Sequence, residues 1–186
     1  MRINPANLLT LIRIAAIPVV VICFYSSMPN ARPIAGIVFG IAAITDFIDG
    51  YIARNFGMSS RFGQFLDPVA DKLMVAVVLV LLVQADPDWY VDLIAIIIIG
   101  REITISALRE WMAIIGEQGN VAVSWGGKVK TALQMFGIAF MVYRDELFGI
   151  DLYNLGFVLL LGAAGMTLWS MFIYLRAAWP SMKKDV

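Results

Sequence analysis

Two stretches decide how the chain is built: Thr45-Asp46-Phe47-Ile48-Asp49-Gly50-Tyr51-Ile52-Ala53-Arg54 and, after a short connection, Gly63-Gln64-Phe65-Leu66-Asp67-Pro68-Val69-Ala70-Asp71-Lys72. Asp46 and Asp49 are three apart, and Asp67 and Asp71 are four apart. On helices each pair shares one face. The first pair closes a long apolar run and the second opens another, so the four acids can converge at one end of two adjacent helices. Carboxylates held that close repel one another and resist leaving water; even on a lenient insertion scale a charge at mid-membrane costs about 2.5–3.5 kcal/mol. The nearest cations, Arg54, Arg61 and Lys72, are too few to neutralise four acids comfortably. One or two divalent cations with all-oxygen ligation would do so, and a two-metal site can clamp both oxygens of an in-line phosphoryl displacement. Gly50 and Ala53, at i+4 and i+7 from Asp46, keep bulk off the acid face. The plainer reading is that they only permit close helix packing and that the acids are merely interfacial.

Around these stretches the sequence is strongly apolar. Of 186 residues, 61% are hydrophobic and 15% charged, with a mean hydropathy of +0.83; soluble domains run nearer 45–50% and about 25%. That excess excludes a water-soluble globule, a disordered chain and a nucleic-acid-binding arm. The formal net charge is zero, so it names no partner. There is no histidine, which removes His triads, His general bases and His metal ligands. Cys23 stands alone in an apolar run, so there is neither a disulfide framework nor a cysteine cluster for zinc. Any metal must then be held by carboxylates, which favours hard ions such as Mg²⁺ or Mn²⁺. The length fits one domain over residues 1–186, without internal repeat or low-complexity stretch.

A spanning helix needs about 20 mostly apolar residues. Six candidates lie at roughly 8–28, 33–54, 67–85, 89–109, 128–143 and 152–175, separated by turn signals such as Ser26-Ser27-Met28-Pro29-Asn30 and Asp86-Pro87-Asp88. The expected fold is therefore all-α, a polytopic membrane protein with six transmembrane helices. Only 152–175 is free of charge over a full span. The charge-free cores 33–45, 73–85 and 131–143 rise about 20 Å each, short of a hydrocarbon core of ~30 Å. Their charged ends must enter the membrane boundary or a cavity. The first segment reads as a retained helix, since its basic start is weak and no clean cleavage site follows. With both termini on one side, that side holds Arg2, Arg13, Arg54, Arg61, Lys72, Arg101, Arg109, Lys128, Lys130, Arg176, Lys183 and Lys184. The other side holds only Arg32 and Arg144, with Asp86, Asp88, Asp92, Asp145, Glu146 and Asp151. The cation-rich side, termini included, is expected to be cytoplasmic.

The pattern Asp46-x2-Asp49-Gly50-x2-Ala53-Arg54-x8-Gly63-x3-Asp67-x3-Asp71 resembles the signature of the CDP-alcohol phosphotransferases at every fixed position. The resemblance implies a six-helix protein, a homodimer, that transfers a CDP-linked phosphatidyl group to an alcohol and releases CMP. It implies two divalent cations, Mg²⁺ or Mn²⁺, on Asp46, Asp49, Asp67 and Asp71, with Asp71 also the catalytic general base. Asp46, Asp49, Gly50, Ala53, Arg54, Gly63 and Asp67 would border the CDP moiety. The expected location is the bacterial cytoplasmic (inner) membrane, multi-pass among membrane lipids, with the active site facing the cytoplasm and no nucleic-acid partner. The chemistry suits the residues independently: a diphosphate needs metal and Arg to bind, and without His a carboxylate is the natural base for an attacking hydroxyl.

The acceptor is read from cations further along. Arg101 and Arg109 are eight apart, near one helix face, and Lys128 and Lys130 open the fifth helix. Arg101 could simply pair with Glu102 or a cluster aspartate, and the lysines could be an ordinary helix end. Together, four cations facing four acids suggest a phosphorylated acceptor. The strings 101–111 and 121–131, with Asn7-Leu8-Leu9-Thr10-Leu11-Ile12-Arg13, are similar to the branch of the family that uses sn-glycerol 3-phosphate. That likeness implies CDP-diacylglycerol and sn-glycerol 3-phosphate as substrates, phosphatidylglycerol phosphate and CMP as products, and Arg101, Arg109, Lys128 and Lys130 on the acceptor phosphate. Asn7, Thr10 and Arg13 would border the nucleotide or the lipid headgroup; the plain alternative is a helix start with an interfacial Arg. Lys72 could pair with neighbours instead. The acidic loop 144–151 is expected to stay clear of the site. Rival readings are a family member with another acceptor (cardiolipin-, serine- or inositol-phosphate-type), an intramembrane prenyltransferase, and a cation transporter. Trp89, Tyr90, Trp111, Trp125 and Trp179 read as interfacial anchors, and Met166 and Met171 as packing.

Overall fold

The computed structural model describes residues 5–56, 61–116 and 125–184. Six helices follow one another: α1 (Pro5–Tyr25), α2 (Ala31–Phe56), α3 (Arg61–Ala85), α4 (Trp89–Ile114), α5 (Trp125–Tyr143) and α6 (Leu152–Lys184). Between α5 and α6 stands a small antiparallel hairpin, β1 (Glu146–Leu147) and β2 (Ile150–Asp151). Each expected apolar segment is one helix, and most helices run past the expected limits. α3 starts at Arg61, which puts Asp67 and Asp71 in its interior instead of at its first turn. α6 continues through Pro180 to Lys184 and is about 50 Å long. Pro33 sits in the first turn of α2, where the missing N–H has no intrahelical partner to lose. Two helical stretches, Leu8–Tyr25 and Leu152–Lys183, are long and apolar enough to cross a membrane, and Val129–Tyr143 is a shorter apolar one.

α1 packs on α2 and α3, α2 on α5, α5 on α6, and α4 on α3 and α6. The main core includes Ile17, Val20, Phe39, Met74, Val78, Leu82, Ile98, Ile138, Met141 and Leu160, drawn from all six helices. A second cluster joins the ends of α4 and α6 through Ile105, Leu108, Met112 and Ala178, with Met171 and Trp111 packed against it. Trp89 and Trp179 remain exposed.

The stretch 144–151 forms that hairpin. Phe148 and Gly149 both have positive φ, 53° and 77°, as a two-residue turn of the type favoured between antiparallel strands requires. Beside it lies a polar clasp. Asp86 is buried and accepts from Arg144 at 3.0 Å, with Arg32 3.5 Å away. Arg32 also donates to the Val142 and Met141 carbonyls at 3.1 and 3.2 Å and lies over the Phe24 ring at 4.4 Å. Arg144 lies over Tyr153 at 5.9 Å. The two cations that sequence assigned to the poorer side thus serve one buried acid, joining the ends of α1, α2, α3, α5 and α6.

α5 and α6 meet backbone to backbone. A Cβ on Gly156 would lie 2.7 Å from both the Gly137 carbonyl oxygen and the Met141 nitrogen. Since backbone cannot step aside cheaply, Gly156→Ala should lower stability by about 1–3 kcal/mol. Gly162→Ala, where the added carbon meets nothing within 4 Å, should leave the thermal midpoint in detergent unchanged. Equal midpoints for both variants would contradict this packing.

Candidate active site

The acids at the end of α2 and within α3 are gathered by α1. Thr10 and Arg13 lie three apart on α1 and are both buried, so they face the same way into the bundle. Arg13 Nη1 lies 2.9 Å from Asp46 Oδ1 and also donates to Asp71 Oδ1. The Thr10 hydroxyl donates to Asp67 Oδ1. Three aspartates from two helices therefore converge on one face of a third. The Arg13 side chain is 2% exposed, whereas those of Asp46 and Asp71 are 27% and 32% exposed. The carboxylates keep access to the exterior that the guanidinium lacks. Gly63, expected to border the nucleotide, is buried near the start of α3.

Arg13 enlarges the charge accounting made from sequence. Sequence offered Arg54, Arg61 and Lys72 as the nearest compensating cations; the structure adds Arg13, while the side chains of Arg54 and Arg61 lie outside the described residues. Lys72 turns to α4 instead: it donates to the Ser106 hydroxyl, which donates to the Glu102 carbonyl at 2.6 Å. The signal for Arg13 was present as a lone cation between Ile12 and Ile14 in an apolar helix. A charge so placed needs a partner, and α1 offers no acid of its own. Thr10 and Arg13, read as neighbours of nucleotide or headgroup, are placed directly on the aspartates. Expectations for Asp49, Gly50, Ala53, Arg54, Asn7 and Lys128 fall on side chains outside the described residues.

Two of the four expected acceptor cations have contacts of their own. Among the described residues Arg101 pairs with Glu102 at 2.5 Å, the plainer of its two readings. Arg109 is exposed, with its guanidinium 5.5 Å from the Tyr174 ring centre on α6. Neither forms an ion pair with Asp46, Asp67 or Asp71 among the described residues. Lys130 is 6% exposed, too buried for an ordinary solvated helix end.

The donor set suits a hard divalent cation, being carboxylate oxygen throughout. Asp46 and Asp71 already share one positive centre, the Arg13 guanidinium, so their oxygens point at a common charge. With that guanidinium between them, no three acids among the described residues stand close enough for a metal cage. Asp46, Asp67 and Asp71 are of the right chemical kind for such an ion, and Arg13 would compete with it for Asp46 and Asp71.

An all-helical chain with interior carboxylates at one end of apolar helices defines the class, and sequence comparison agrees with it. A family model described as CDP-alcohol phosphatidyltransferase matches residues 3–173, and the chain belongs to that family. Among its relatives is a protein of Salmonella choleraesuis (strain SC-B67), 48% identical over 178 residues and 96% of each chain. Another, from Yersinia pestis (strain Pestoides F), is 48% identical over 182 residues and 98% of each chain. Both carry the name CDP-diacylglycerol–glycerol-3-phosphate 3-phosphatidyltransferase.

The Arg13 contacts carry a prediction. Breaking a fully buried ion pair costs about 3–5 kcal/mol; because the aspartates are near one-third open, Arg13→Met should cost less, about 1–3 kcal/mol. Arg13→Lys should recover part of it. Thermal unfolding of purified protein in metal-free detergent measures both, and an unchanged midpoint for Arg13→Met would show the pair to be without weight.

Proposed function

We propose that the chain transfers the phosphatidyl group of CDP-diacylglycerol to sn-glycerol 3-phosphate, giving phosphatidylglycerol phosphate and CMP. The observation that carries this reading is the convergence of Asp46, Asp67 and Asp71 in a chain 48% identical, over nearly its whole length, to proteins named for that reaction.

Asp46, Asp49, Asp67 and Asp71 hold two divalent cations, Mg²⁺ or Mn²⁺. When bound, such ions supply positive charge and Lewis acidity to phosphate oxygens. Gly50, Ala53, Arg54 and Gly63, with Asp46, Asp49 and Asp67, border the CDP moiety; the small residues leave room and Arg54 adds charge. Arg101, Arg109, Lys128 and Lys130 attract and orient the phosphate of the acceptor, which leaves its free hydroxyl aimed at the donor. A carboxylate oxygen of Asp71 takes the hydroxyl proton. The acceptor oxygen bonds to the lipid-side phosphorus of the pyrophosphate, the bond from that phosphorus to the bridging oxygen breaks, and CMP leaves. Positioning and charge stabilisation make up most of the catalysis. Arg13 holds Asp46 and Asp71 in register with α1 and limits their mutual repulsion.

Residues 1–186 work as one integral-membrane domain, a homodimer in the bacterial cytoplasmic membrane. Six spans with both termini cytoplasmic are supported by twelve cations on the site side against Arg32 and Arg144 on the other. A site at one end of the helices suits a reaction between a soluble acceptor and a lipid-anchored donor.

Purified protein with Mg²⁺ or Mn²⁺ should release CMP from CDP-diacylglycerol when glycerol 3-phosphate is offered, and not with serine, inositol phosphate or phosphatidylglycerol. Preference for any of those three would reassign the acceptor. Asp71→Asn should lower turnover by about 10²–10⁴-fold while retaining CDP-lipid binding. Substantial residual turnover would remove Asp71 from the role of base.

A further inference from the structure

At the end of the bundle away from the aspartates, the hairpin between α5 and α6 has its polarity reversed. A hairpin that faces water puts polar residues in its turn, with Asn-Gly and Asp-Gly preferred because both turn positions take positive φ. Here the turn is Phe148-Gly149, and Phe148 holds a φ of 53°, a backbone region that bulky side chains adopt only at a steric cost. Its ring gains nothing within the chain, since Phe148 is 94% exposed. Leu147 and Ile150, paired across the strands next to the turn, are exposed as well. The charges stand at the base instead: Glu146 and Asp151 face each other across the strands, both exposed. Like charges directly opposite weaken a ladder, and a two-stranded hairpin is marginal in water by itself. Asp151 ties the base to α6 by accepting from the backbone and side-chain amides of Asn154 at 3.0 and 2.5 Å. No contact of this kind compensates the turn.

We infer that this hairpin is a membrane anchor, with Phe148, Leu147 and Ile150 seated in the lipid surface at that end of the bundle and Glu146 and Asp151 in the water beyond it. The inference rests on the reading of the chain as an integral membrane protein and is independent of which alcohol is the acceptor. An apolar turn carried on an acidic base fits a boundary that is hydrocarbon on one side and water on the other. The apolar stretch Leu152–Lys183 begins immediately after Asp151, so the hairpin stands at that boundary. A bilayer is selected over a partner protein by where the other exposed aromatics lie. Trp89 opens α4 and Tyr25 closes α1, and both are exposed. Tyr25 donates to Gln84 near the end of α3 at 2.6 Å, and Asp86 accepts from Arg144, which adjoins the hairpin, at 3.0 Å. These ends therefore share one level. α1 packs on α2 and α3, whereas α4 packs on α3 and α6, so the aromatics sit on different sides of the bundle. Aromatics spread around one level form an interfacial belt; a partner protein would need them on one side.

Photo-crosslinking identifies what the turn touches. Full-length protein with p-benzoylphenylalanine in place of Phe148 is irradiated in nanodiscs of phosphatidylcholine and phosphatidylglycerol. The same probe is placed separately at Glu146 and at Val158, which is exposed on the apolar part of α6. The probe at Phe148 should give lipid-mass adducts at least about tenfold above the probe at Glu146, as burial of a Phe-sized group in lipid implies. Adducts at Val158 without adducts at Phe148 overturn the anchor and leave the membrane domain intact. Crosslinked dimers through Phe148 in place of lipid adducts also overturn it, by assigning the turn to a second copy. Adducts at none of the positions overturn the membrane reading and the anchor together. Phe148→Asn supplies a second measurement, since an exposed ring leaves no cavity and Asn suits positive φ. Hydrogen exchange of the amides of 146–151 is followed in the same nanodiscs. A hairpin free in water would be steadied by Asn and would exchange more slowly. An anchored one loses its lipid contact and should exchange at least about threefold faster. Slower or unchanged exchange overturns the anchor.

Discussion

A single guanidinium shared by two carboxylates sets the geometry at the working end of this bundle. Arg13 cannot be buried in an apolar helix without an anion, and Asp46 and Asp71 cannot stand side by side without a cation. Each need is met only if α1 lies against both α2 and α3 at one rotation about its axis. Thr10, one turn away, adds a bond to Asp67 and removes the remaining freedom to turn. Packing of Ile17, Val20 and Cys23 deeper in the bundle is compatible with many small rotations; the polar contacts select one. The same arrangement holds acid side chains near one another and partly open to the exterior.

The opposite end is fixed by the complementary device. There one buried acid, Asp86, gathers two arginines, and those arginines reach carbonyls and aromatic rings of neighbouring helices. Between the two polar ends the interior is apolar, and the helices are spaced by small residues. Where glycine meets backbone, at Gly36–Tyr143 and Gly137–Gly156, the helices are in closest contact. Where glycine meets nothing, at Gly40, they part and leave a channel leading to Asp46. Close and open glycines on neighbouring helices are thus used for opposite ends, one to join and one to make room.

Much of this was legible in the sequence. The six apolar runs became six helices because long apolar runs and turn signals such as Ser26 to Asn30 are local properties. The spacing of Asp46, Asp67 and Asp71 announced a shared site because helical faces follow from numbering alone. Less was legible about pairing. Lys72 goes to Ser106, and Arg101 goes to its neighbour Glu102. Lys130, read partly as a solvated helix end, is buried. Charges within a few residues of several partners can choose among them, and the choice depends on which helix lies alongside.

The sequence by itself determined the helices and the identity of the acids, since these follow from the local composition and spacing of a single chain. Tertiary structure alone decided that α1 supplies the cation between the acids, that Asp86 is interior, and that α2 and α5 diverge toward Asp46. Each of those facts depends on the rotation and separation of helices distant in sequence. The order of residues along one helix carries no record of those quantities until several helices pack together.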